Sequence, residues 1–161
     1  MTKYYIFRHG ETKYSKYGLP YPSDSRTIEV LPEGIPAIKK IGEYLKEIES
    51  DYNVVSEFER CQTTIKIVSE ITGKKFEKES RLNEFERESF DDFKKRVKSF
   101  IDEIEVKKYK SVVICTHGAV VAALKNLLIN NSLKIINLPF YPKTGVILRI
   151  EGNKTEEINF R

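Results

Sequence analysis

The sequence predicts an α/β sandwich of three layers, a mostly parallel central sheet with helices on both faces. Three observations lead there. Short apolar runs that read as buried strands alternate with longer segments of helical apolar spacing, and two of those runs stop abruptly at a histidine followed by glycine. The C-terminal stretch instead alternates around a Gly-Asn pair, as a hairpin does. With 161 residues, the chain is read as one folding unit over 1–161, long enough to bury roughly 70% of its unfolded surface.

The elements follow in order. Lys3–Phe7 forms the first strand, running into Arg8-His9-Gly10. Lys13–Val30 holds Gly, Pro and Ser without a usable period and reads as a long surface loop bordering a site at the sheet edge. Ile35, Ile38, Ile41, Leu45 and Ile48 mark the first helix, with Pro32 suited to its opening turn and Pro36 implying a late start or a kink. Asn53–Ser56 is a second strand, and a helix carrying Ile65, Ile67, Val68 and Ile71 ends at Gly73. Ser89 caps the next helix, whose stripe of Phe90, Phe93, Val97, Phe100, Ile101 and Ile104 is core. Ser111–Thr116 is a third strand, and the helix after Gly118 is apolar nearly all round, hence well buried. Gly145–Ile150 and Glu156–Phe160 pair as the hairpin.

Composition removes several classes of function. At 40% hydrophobic residues the chain is not disordered, and no stretch approaches the ~18 apolar residues of a membrane-spanning helix. Without a signal-peptide-like run at Met1–Phe7, a soluble cytoplasmic protein is expected. Two cysteines, Cys61 and Cys115, make no disulfide framework and no zinc spacing, and are expected to pack as small buried residues. The net charge of +4 is spread along the chain, and no nucleic-acid-binding signature is legible.

The chain has only two histidines, and both precede glycine at a strand end, in Arg8-His9-Gly10 and Thr116-His117-Gly118. Two imidazoles, an adjacent arginine and the backbone N–H groups of a helix beginning after Gly118 make a setting that suits a phosphoryl group. Guanidinium binds phosphate oxygens bidentately, helix starts bind anions, and histidine can act as a nucleophile towards phosphorus.

Arg8-His9-Gly10-Glu11-Thr12 resembles the N-terminal block of the histidine phosphatase superfamily, which includes the cofactor-dependent phosphoglycerate mutases. Three further blocks follow in the family's order: Ser56 to Thr63 with Arg60 four positions after the serine, Arg81-Leu82-Asn83-Glu84, and Thr116-His117-Gly118-Ala119. Pro32 to Leu45 is similar to the family's first helix. The resemblance implies that His9 is the phosphohistidine nucleophile and that Arg8, Arg60 and His117 clamp the phosphoryl oxygens, with Thr12, Ser15 and Gly118 as further substrate contacts. It also implies that Glu84 is the general acid, with Glu11, Glu86 and Glu88 as alternatives. No metal and no organic cofactor is implied, because the arginines and His117 supply the charge. Expected substrates are small phosphomonoesters, among them sugar phosphates, nucleotide phosphates and the ribazole phosphate of cobalamin synthesis, or phosphohistidine proteins. The oligomeric state is not legible.

Departures from the family pattern shape these expectations. Ser15 stands where many members carry asparagine, Leu31 where a capping threonine is usual, and Cys61 where alanine is common. Only Phe85–Glu88 separates Glu84 from the following helix, where the mutases carry a long insertion. An open pocket is therefore expected, and an open pocket favours hydrolysis over mutase chemistry, which must keep water from the phosphohistidine. A mutase and a phosphate-binding module without turnover are the alternatives. Lys13, Lys16, Arg26, Tyr14, Tyr17 and Tyr21 are candidates for a substrate-facing rim.

Overall fold

A computed structural model describes all 161 residues. β1 (Lys3–Arg8), β2 (Tyr52–Val55), β3 (Glu77–Lys78), β4 (Ser111–Thr116), β5 (Val146–Glu151) and β6 (Lys154–Asn159) form one sheet in the order β3-β2-β4-β1-β5-β6. The pairs β3/β2, β2/β4 and β4/β1 are parallel, and β1/β5 and β5/β6 are antiparallel. The expected α/β architecture holds, and the terminal hairpin turns at Gly152, which has a φ of 61°.

The period of two along the central strands divides the core. Tyr4, Ile6, Val112 and Ile114 face α4 (Phe90–Lys107) and α5 (Gly118–Asn130), together with Phe93, Val97, Phe100 and Leu124. Tyr5, Phe7, Val113 and Cys115 face α2 (Ile35–Lys46) and α3 (Glu59–Thr72), together with Ile38, Ile41, Ile65 and Val68. Burying each such side chain contributes about 1.5–3 kcal/mol before conformational entropy is counted. Both cysteines are fully buried, as expected.

Local chemistry explains the helix ends. Ser89 Oγ accepts the Asp92 N–H at 3.1 Å, and Gly73 closes α3 at a φ of 75°. A 3₁₀ turn over Pro32–Gly34 precedes α2, so the helix proper starts at Ile35, the late start that Pro36 called for. Leu31 gives that turn no side-chain cap.

Two features differ from expectation. Lys13–Val30 is not loop throughout, because Lys13–Tyr17 forms the short helix α1. Its cause is a reciprocal cap: the Ser15 N–H donates to Thr12 Oγ1 at 3.2 Å, and the Thr12 N–H donates to Ser15 Oγ at 2.9 Å. A five-residue helix is too short to display a period. The edge strand β3, two residues long, is likewise too short to show alternation. No helix is long and apolar enough to cross a membrane.

Candidate active site

Strand register brings the two histidine blocks together. Arg8 pairs with Thr116 in the parallel β1/β4 ladder, and the pairing runs one residue further, where the His9 N–H donates to Thr116 O at 3.1 Å. His9 and His117 therefore leave adjacent strands at the same level, with ring centroids 5.4 Å apart. At the end of β2, the Ser56 N–H donates to Cys115 O at 3.1 Å, which brings Ser56 to the same edge. In α3, Thr64 Oγ1 accepts the Gly10 N–H at 2.8 Å and donates to Arg60 O at 2.7 Å, tying Arg60 to the loop that carries His9.

The hydrogen bonds fix both ring tautomers. A carbonyl only accepts, so the contact of His9 Nδ1 with Gly10 O at 2.8 Å places the hydrogen on Nδ1 and leaves the Nε2 lone pair bare. Ser56 Oγ donates to Asn83 Oδ1 at 3.1 Å and accepts the Phe58 N–H at 3.2 Å. Its 2.7 Å contact with His117 Nε2 is therefore a bond donated by the imidazole, and Nδ1 of His117 faces the site. Burial first, then the cations Arg60 and Arg8, hold the pKa of His9 well below its ordinary value. His117 is lowered likewise, by burial, then Arg60, then His9.

Arg60 is fully buried; its Nη1 donates to Ser25 O, and its Nη2 donates to Ser25 Oγ at 3.3 Å and Glu84 Oε2 at 3.2 Å. Arg8 Nη1 donates to Pro142 O at 3.4 Å. Five buried side-chain polar atoms in the molecule lack a hydrogen-bond partner, and four converge here: Arg8 Nε, His9 Nε2, Arg60 Nε and His117 Nδ1. Buried polar atoms are ordinarily paired, so such a cluster is a socket for something polar. The first turn of α5, which begins at Gly118 behind His117, has no side-chain cap and adds uncommitted N–H groups.

Glu84 lies on the far side of this socket, Oε2 3.7 Å from His117 Nδ1. Burial raises its pKa, against the lowering effects of Arg60, the Phe85 N–H and Arg8. Its backbone is pinned, because Arg96 Nη2 donates to Glu84 O at 3.1 Å and Asn83 is held by Ser56 and Glu57. The other glutamates have partners or surroundings of their own. Glu88 is paired with Arg96 at 2.6 Å, Glu11 lines a separate cavity beside Glu33 and Lys40, and Glu86 accepts a hydrogen bond from Ser25 Oγ at 2.9 Å.

The open pocket is corrected. The connection between Glu84 and α4 is short, yet His9, Arg60 and His117 are fully buried, because cover comes from two other segments. Tyr21 lies 4.6 Å from the Arg60 guanidinium and edge-on to His9, and Tyr141 lies 4.8 Å from the Arg8 guanidinium. Ser15 and Thr12, expected as substrate contacts, make the α1 cap, and the Thr12 hydroxyl also meets Tyr21 OH at 2.8 Å. Of the other rim candidates, Lys16 is paired with Glu33 at 2.6 Å and Arg26 packs over Phe58. Tyr141, Ser25 and Thr64 carry no local sequence signal, because their roles depend on contacts between distant segments; Asn83 lies in the block that ends at Glu84, but its part in holding Ser56 and Glu57 shows only in the fold.

The model of the histidine phosphatase superfamily (branch 1) matches residues 4–87 and 85–159. The chain belongs to that superfamily. It is accordingly a phosphatase-type enzyme, and the fold agrees. This histidine phosphatase superposes on an alpha-ribazole phosphatase from Shigella flexneri with a TM-score of 0.78 at 21% identity, covering 93% of this chain and 90% of that one. The protein histidine phosphatase SixA, complexed with tungstate, gives a TM-score of 0.73 at 15% identity over 99% and 97% of the two chains. A phosphoglycerate mutase from Bacillus anthracis gives 0.72 at 16% over 99% and 93%. At these identities the likeness speaks for the fold. No curated protein is a significant match.

Proposed function

We propose that the chain, as one catalytic domain, hydrolyses phosphomonoesters through a phosphohistidine at His9 Nε2. The observation that carries this reading is the cluster of four partnerless buried nitrogens. Two of them are neutral imidazole lone pairs, on His9 Nε2 and His117 Nδ1, and two are guanidinium donors. A protonated phosphoryl group satisfies all of them at once: its oxygens accept from the guanidinium groups, its hydroxyl donates to His117 Nδ1, and its phosphorus faces His9 Nε2.

The steps follow from the arrangement. His9 Nε2 attacks phosphorus while the bond to the alcohol oxygen breaks, and Glu84, whose pKa burial raises, gives its proton to that oxygen. Arg8, Arg60, His117 and the α5 N–H groups from Gly118 onward hold the equatorial oxygens; His117 Nδ1 takes the proton of the phosphate monoanion as it binds and returns it to the phosphate that leaves. The Glu84 carboxylate then takes a proton from the water that attacks phosphorus, which releases phosphate and restores His9. Thr12 and Ser15 serve by holding α1 and Tyr21 in place. The guanidinium charge stands where other phosphotransferases place Mg²⁺, so no metal is required.

The test is phosphate release from p-nitrophenyl phosphate in excess chelator, by wild type and His9→Ala. Wild-type turnover that vanishes in the variant is expected, along with an alkali-stable phosphoryl label on wild type alone. A fully active His9→Ala protein overturns the nucleophile, and loss in chelator with rescue by a divalent ion overturns the metal-free reading.

A further inference from the structure

The substrate's alcohol portion must occupy the space beside the socket, and that space has its own chemistry. A cavity of about 390 Å³ opens over Arg8, Glu84 and Gly118 and is walled by Tyr21, Phe85 and Tyr141. Its size suits the leaving group of a small molecule. Tyr141 is firmly seated: a Cβ on Gly118 would lie 2.3 Å from its Cε1, so the missing side chain is what admits the ring. The Arg8 guanidinium holds the ring from one side, while 41% of the residue stays exposed.

The charges lining this cavity offer a second anion no buried cation of its own. Its cations are Arg8, already assigned to the phosphoryl group, and Arg87, whose Nη2 lies 4.0 Å from Asp24 Oδ2. Against them stand the carboxyl groups of Glu84 and Glu86. With Glu84 as the protonated acid, a carboxylate or second phosphate on the substrate would enter beside the Glu86 carboxylate. The one cation not assigned to the phosphoryl group is the exposed Arg87, which lies nearer Asp24 than any buried partner.

We propose that the site takes phosphomonoesters of neutral alcohols carrying a flat apolar ring, with Tyr141 as the residue that selects the ring, and discriminates against esters bearing a second anionic group. This rests on the phosphatase reading above. Ring stacking in such a setting supports a preference on the order of tenfold.

The experiment compares kcat/KM for 2-phenylethyl phosphate, glycerol 1-phosphate and 3-phosphoglycerate, three esters of ordinary alcohols. Wild type is expected to prefer the phenylethyl ester about tenfold over the glycerol ester, with 3-phosphoglycerate slowest. Tyr141→Leu should bring the first ratio close to one, and Tyr141→Phe should keep it. Equal use of 3-phosphoglycerate and the phenylethyl ester overturns the proposal, as does a ratio that survives Tyr141→Leu. The same esters are also titrated into His9→Ala by calorimetry. A ring preference in binding with no phosphate released by wild type would sink the hydrolase reading alone, whereas hydrolysis without preference would sink this proposal alone.

Discussion

Replacing Glu84 with glutamine tests the acid most directly, because the two side chains are nearly isosteric while only one can give up a proton. Glutamine can still accept the Phe85 N–H, which Glu84 Oε1 does at 3.0 Å, and Arg60 keeps its contacts with Ser25. The socket should therefore persist. What is lost is proton delivery to the leaving oxygen, a contribution of about 10²- to 10⁴-fold, or roughly 3–5.5 kcal/mol of barrier, for an alkyl phosphate. A p-nitrophenolate leaves without that proton, so its ester should lose less than about tenfold. The pH profile separates the two further. Burial raises the Glu84 pKa, so the acid form survives above the ordinary carboxyl range, and alkyl ester hydrolysis should fall as pH climbs through that raised value. In Glu84→Gln that descending limb should be absent. The assay is kcat/KM across a series of phosphate esters of increasing leaving-group pKa, from pH 5 to 9. Equal losses on aryl and alkyl esters, or an unchanged descending limb, would refute the role given to Glu84.

Further consequences concern stability and positioning. His9 and His117 have folded pKa values below the unfolded value of about 6.5, so their contribution is complete above that pH and is lost as pH falls, because the unfolded chain takes up the protons. Between pH 6.5 and 5.5 the pair should remove about 2 kcal/mol, partly offset by Glu84, whose raised pKa acts in the opposite direction. Thermal melts should show the drop, and a His9→Gln, His117→Gln double variant should flatten it. Ser56→Ala strips His117 Nε2–H and the Phe58 N–H of their acceptor, which should cost about 1–3 kcal/mol of stability and lower kcat/KM about tenfold or more with an altered pH profile. An unchanged profile would show that Ser56 only packs. Leu31→Thr supplies the missing cap before α2 and should raise stability by about 0.5–1 kcal/mol, read as a Tm increase of about 1–4 °C.

The parts of this molecule that sequence exposes are those governed by near neighbours. Ser89 and Gly73 mark helix ends because capping and positive φ are local chemistry, and the facing of His9 and His117 follows once two apolar runs are taken as neighbouring parallel strands. The four motif blocks supply the remaining socket residues in the same way. What sequence leaves hidden depends on long-range packing. Tyr141 reaches Arg8, and Ser25 reaches Arg60, across chain separations that carry no periodic signal. The pocket was expected to be open because the one connection whose length can be counted is short, and the cover comes from segments whose path cannot be counted. Ser15 illustrates the same limit: its place in the motif suggests a ligand contact, while its geometry makes it a helix cap.

The covered socket also changes the basis for favouring hydrolysis over mutase chemistry. Water exclusion no longer separates the two, since Tyr21 and Tyr141 flank the buried histidines in place of the mutases' insertion. A mutase must, however, hold a bisphosphorylated intermediate long enough to turn it over, and the second anion has to meet positive charge. Around the leaving-group cavity Arg8 serves the phosphoryl group, Glu84 is the acid, and Glu86 faces the exposed Arg87, so on the proposed reading that anion finds no buried cation to hold it and the intermediate would be retained poorly. Under the proposed function it is charge at the mouth, rather than closure, that would favour water as the phosphoryl acceptor. Glu86→Arg tests this: by reversing the sign at the rim, it should improve kcat/KM for 3-phosphoglycerate relative to 2-phenylethyl phosphate by about tenfold. A ratio that does not move would place discrimination in the shape of the cavity rather than in its charge.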